Sequence, residues 1–191
     1  MITELKPLEH FKELVSDAIR NQGVDADELT EFYLSGLLES FVAARKLSSE
    51  PLAFTYLKAL GSDTTEKSYL LKELGDVSLF TSGFFSDSLK RKIVDIDYYI
   101  DMGSGSYGWL AGLYGERKKT GELGALFSEL SKKFKPFVDV LAEVSERSNI
   151  TSSKDILRLY ERWLYTKSRR TEAILRELGI EPCHVTTKPI H

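Results

Sequence analysis

The chain has 191 residues, 42% of them apolar and 29% charged, the make-up of an ordinary globular protein. A chain of this length buries ~70% of the surface it exposes unfolded, so one core can hold it without staples. Its single cysteine, Cys183, excludes an intramolecular disulfide framework. The net charge of −3 hides an asymmetry: residues 1–100 carry 11 Lys and Arg against 17 Asp and Glu, and residues 101–191 carry 15 against 12. A basic second half could meet an acidic partner, but its excess is small, and solvated helix faces are the commoner cause. The N-terminal MITELKPLEH has early acidic residues and no apolar run, unlike a signal peptide. No window approaches the ~20 apolar residues of a membrane span. A cytoplasmic protein with no membrane partner is the expectation.

In chain order, Pro7 suits the first turn of a helix, and Leu8, Phe11, Leu14, Val15, Ala18 and Ile19 repeat at helical spacing up to Asn21-Gln22-Gly23. Asp25 with Glu28 reads as a capping box for a second helix. Its expected inward stripe is Leu29, Phe32, Gly36, Leu37, Ser40, Phe41 and Ala44. A short third helix after Pro51 carries Leu52, Tyr56, Leu57 and Leu60, with Gly61 placed to cap it. Asp63 with Glu66 opens a fourth, whose inward residues are Leu70, Leu71, Leu74, Val77 and Phe80. A break is expected near Gly83–Ser86, and Ser86-Asp87 can cap a fifth element running toward Gly103. Gly103-Ser104-Gly105 is expected to interrupt that element before the pattern resumes at Tyr107.

Leu123, Leu126, Phe127, Leu130, Phe134, Phe137, Val138, Leu141 and Val144 form the next stripe, and Pro136 within it must kink or split the helix. Ser152 with Asp155 caps a last long helix through Ile156, Tyr160, Trp163, Leu164, Ile174, Leu175 and Leu178. The tail at 181–191 has two prolines and no helical period. No stretch shows the period-two alternation of a strand. The fold class is all-α, a single-domain bundle of about seven or eight helices over 1–180 with an irregular tail.

The densest chemistry lies in 73–115. Gly105, Gly108, Gly112 and Gly115 fall on one helical face. Glycine in a helix costs ~1 kcal/mol against alanine, so four together imply a gain elsewhere, most simply the close approach of another helix. The small face Gly75, Ser78, Ser82 and Ser86 of the fourth helix is the matching surface. Asp76 stands among Leu74, Val77, Leu79 and Phe80, where a carboxylate needs a partner. Tyr98, Tyr99, Tyr107, Lys90 and Arg91 are the candidates. Asp87, Arg91 and Asp95 form an i, i+4, i+8 charge ladder, the signature of a solvated face. Asp97 and Asp101 are also four apart and could hold a divalent cation or act as an acid/base pair.

Phe80, Phe84, Phe85, Tyr98, Tyr99, Met102, Tyr107 and Trp109 supply large soft side chains. Core packing is the commoner use of such a cluster, and a pocket mixing aromatics with Asp and Ser is the sharper one. On the pocket reading the ligand-binding residues are Asp76, Phe80, Phe84, Tyr98, Tyr99, Asp101, Met102 and Tyr107.

Catalytic and metal signatures are absent from the sequence. Its histidines are His10, His184 and His191, and no HExxH or GxSxG occurs. GSGSYG at 103–108 follows no strand and lacks the P-loop lysine. Cys183, His184 and His191 match no zinc spacing. The basic residues Lys154, Arg158, Arg162, Lys167, Arg169, Arg170 and Arg176 are diluted by Glu161, Glu172 and Glu177, which argues against nucleic acid.

The run GDVSLFTSGFFSDSLKRKIVDIDYYIDMGSGSYGWLA, Gly75 to Ala111, resembles a segment of an uncharacterised bacterial all-helical protein family, in its GD-LF-SGFF-DSL … DYY--MG--Y pattern. That family has no assigned activity, so the resemblance implies no reaction. The expected function is that of a non-enzymatic helical module binding a protein partner or a small ligand through 73–115, with no cofactor and no metal. A homo-oligomer is among the assemblies considered. The rival is an enzyme of unknown reaction using Asp76, Asp97 or Asp101.

Overall fold

The computed structural model describes residues 7–44, 50–86, 95–115 and 121–147, together with 163, 168, 169, 172, 175 and 176. Seven helices are described: α1 (Pro7–Gln22), α2 (Glu28–Ala44), α3 (Leu52–Gly61), α4 (Thr64–Phe84), α5 (Ile96–Gly115), α6 (Gly121–Lys132) and α7 (Phe134–Arg147). The fold is the expected all-α bundle, with no strand among the described residues. The chain divides into two compact units, Met1–Ser148 and Asn149–His191.

In the first unit α4 is the central helix. Buried residues surround it: Leu70, Leu71, Leu74, Val77, Leu79, Phe80 and Phe84, with Gly75, Ser78, Ser82 and Gly83 between them. A helix apolar around most of its girth must be enclosed, and α2, α3, α5 and α7 all pack against α4. Fully burying a Leu or Phe contributes about 1.5–3 kcal/mol, so this helix holds much of the stabilising surface. Asp63 caps its start by accepting from the Thr65 and Glu66 amides at 2.9 and 3.0 Å, as the sequence indicates. Phe41, Phe80 and Phe84 stack in succession, with centroids 4.5 and 4.9 Å apart.

The α6–α7 stripe is as expected from Leu126 to Val144, whereas Leu123 is 39% exposed. The helix splits at Lys133, and Pro136 falls in the first turn of α7, where its missing N–H has no carbonyl to serve. Gly23, at φ +64°, closes α1 in a left-handed turn, with the Val24 amide donating to the Ile19 carbonyl at 3.0 Å.

Four expectations are corrected. α2 begins at Glu28, so Asp25 is not its cap. The Asp27 amide and the Thr30 hydroxyl there donate to Glu129 of α6. The buried stripe of α2 is Thr30, Leu34, Ser35, Leu37 and Leu38, while Leu29 and Phe32 are exposed. On α3 the buried residues are Thr55 and Ala59 rather than Leu57 and Leu60, and Gly61 has no positive φ. Finally, α5 runs unbroken through Gly103-Ser104-Gly105, with Ser106 donating to the Met102 carbonyl at 2.7 Å. Asp87 of the expected fifth-element start, its ladder partner Arg91, and the tail at 181–191 lie outside the described residues, as does most of the last helix. In the second unit Trp163 and Leu175 are buried, and Arg176 pairs with Glu172 at 2.9 Å.

Candidate functional site

α4 presents Asp76 where α2 and α5 meet it. The residue before it, Gly75, has no side chain, and the Tyr107 ring of α5 fills that space: a Cβ on Gly75 would lie 2.3 Å from a ring carbon. Tyr107 is fully buried, and its hydroxyl donates to Asp76 Oδ1 at 2.7 Å. Tyr33 of α2 donates to the same oxygen at 2.5 Å, and Lys72, one turn earlier on α4, donates to Oδ2 at 2.5 Å. Phe127 of α6 packs on both tyrosines, at 5.9 Å from Tyr33 and 5.6 Å from Tyr107. Lys72 Nζ also lies 5.3 Å from the Tyr33 ring centre.

A carboxylate removed from water is costly unless donors meet it, and hydrogen bonds to an ionised group are the strong ones. Asp76, its side chain 14% exposed, has three such donors from three sequence positions. Burial, and then the negative charge of Asp76, push the Tyr107 and Tyr33 phenols well above the ordinary tyrosine range. Both therefore stay protonated as donors. Chemically, this is a neutral-donor and ammonium clamp on a carboxylate that joins α2, α4 and α5.

The other residues expected in one ligand site are in different places. Phe80 and Phe84 belong to the buried aromatic stack. Tyr98 is 37% exposed, with its ring edge-on to Tyr99 at 5.6 Å. Asp97 and Asp101 are exposed on α5, and Met102 is half-buried. Of the partners expected for Asp76, Tyr107 is present, while Lys90 and Arg91 lie outside the described residues. Tyr33 and Lys72 are additions. Lys72 stands four residues before Asp76, a spacing that could have disclosed it; nothing local in the sequence points to Tyr33. Among the described residues no three of His, Cys, Asp and Glu gather as metal ligands.

The glycine face of α5 also departs from expectation. A Cβ at Gly105 or Gly112 would meet nothing within 4 Å, and one at Gly108 would meet only Ser131 Oγ, at 3.2 Å. Among the described residues no helix crosses them closely. Of the expected face only Gly115 is closely approached, by Gly124 of α6, whose Cβ would lie 2.8 Å from the Gly115 backbone; the other close approaches lie off it, Gly103 against Phe134 and Ser78 and Gly83 against Leu141. Gly105, Gly108, Trp109, Gly112 and Leu113 instead line an open trough of about 400 Å³. Trp109 is 49% exposed, and Lys67 of α4 holds its ammonium 4.8 Å from the indole centre. Ser131 ties α6 to the edge of the trough through the Ser104 carbonyl at 2.8 Å. No known protein family, curated protein or solved structure matches the chain.

Proposed function

We propose that the protein is a non-enzymatic helical module that binds a protein partner through the open face of α5, within the segment 73–115. The observation that carries this reading is the uncovered glycine face. Each glycine inside a helix costs ~1 kcal/mol against alanine. At Gly105 and Gly112 no contact among the described residues offsets that cost. A face without side chains lets another helix approach closely, and a half-exposed tryptophan at its edge is the residue type that anchors interfaces. A small ligand in the same trough is the second form of this reading, favoured by the indole and the adjacent ammonium of Lys67.

Binding is preferred to catalysis because of where the carboxylates stand. Asp76 is engaged by Tyr33, Tyr107 and Lys72, and Asp97 and Asp101 project from the exposed side of α5. A catalytic pair would converge in a cleft. A cytoplasmic setting belongs to the same reading, since the lone Cys183 suits a reducing compartment. No described helix is long and apolar enough to cross a membrane.

A photo-crosslinking residue placed at Gly112, and separately at the exposed Lys12 of α1, tests this in cells. One discrete adduct at 112, absent at 12 and lost on Trp109→Ala, is the expected result. Equal adduct patterns at both positions would discard the α5 face as the binding surface.

A further inference from the structure

We draw no further inference here: the strongest candidate, the exposed apolar surface patch that Phe54, Leu57 and Leu60 form on α3, carries nothing, because nothing in the structure shows what covers it.

Discussion

Gly103 and Gly105 stand two residues apart on α5 and meet opposite surroundings. A methyl on Gly103 would lie 2.3 Å from a Phe134 ring carbon and 2.7 Å from Ser78 Cβ; one on Gly105 would meet nothing within 4 Å. The inner side of α5 is a seam where small residues on α4 and α5 seat large rings, as Gly75 seats Tyr107 beneath the Asp76 clamp. The outer side carries the same residue type with no ring to seat. Small residues in a helix thus have two separable causes, and sequence spacing does not distinguish them.

The largest expected effect is on the seam. Gly75→Ala should destabilise by ~2–3 kcal/mol through overpacking against Tyr107. Tyr107→Leu in the same chain should recover part of the loss, because the clash is with that ring. Denaturant unfolding checks both, and a Gly75→Ala midpoint equal to wild type would break the comparison at its firmer end.

Next comes the clamp. Asp76→Asn keeps an acceptor for the tyrosines but turns an amide toward Lys72, and Asp76→Ala strands all three donors; each should cost ~1–3 kcal/mol. The tyrosines add a pH dependence. Their folded pKa values are raised, so above about 10 the unfolded chain releases phenolic protons that the folded chain keeps. Stability is therefore full below that pH and falls above it, by up to ~1.4 kcal/mol per group per pH unit. Absorbance titration should show Tyr33 and Tyr107 ionising only with unfolding. Tyr33→Phe should make the fall shallower.

A smaller effect is expected where α6 supports the start of α2. Burial works to raise the Glu129 carboxyl. Hydrogen bonds from Lys133, Thr30 and the Asp27 amide outweigh it and leave its pKa lowered. Its contribution is present above the unfolded value of about 4.5 and is lost as pH falls through the folded one. Glu129→Gln should cost ~1 kcal/mol at neutral pH and less in acid. A loss of the same size at pH 3 would contradict this account.

How much of this was legible follows from the patterns themselves. α4, α6 and α7 have a single apolar stripe or are enclosed all round, so the residues named for their stripes are buried, Leu123 excepted, while Leu79, Phe84 and Val140 are buried in addition. α2 has apolar residues at 29, 32, 33, 34, 37, 38 and 41, which admits two registers. The choice is made by contacts from far along the chain: Thr30 with Glu129, and Tyr33 with Asp76. That Asp76 needed donors, and that Tyr107 was one, could be argued from local polarity. Tyr33 lies 43 positions away on another helix, and no short-range signal names it. The glycine stripe was visible, but which face of α5 the chain itself covers is decided by Phe134 and Tyr107, whose rings enter at Gly103 and Gly75.

The contrast between the two sides of α5 is tested most directly by one substitution made twice in that helix. Gly103→Ala and Gly105→Ala share the same gain in helix propensity of ~1 kcal/mol and differ only in what the methyl meets. By chemical denaturation, Gly105→Ala should raise stability by ~0.5–1 kcal/mol and Gly103→Ala should lower it by ~1–3 kcal/mol. Shifts of the same sign at the two positions would contradict the division of α5 into a filled seam and an open face.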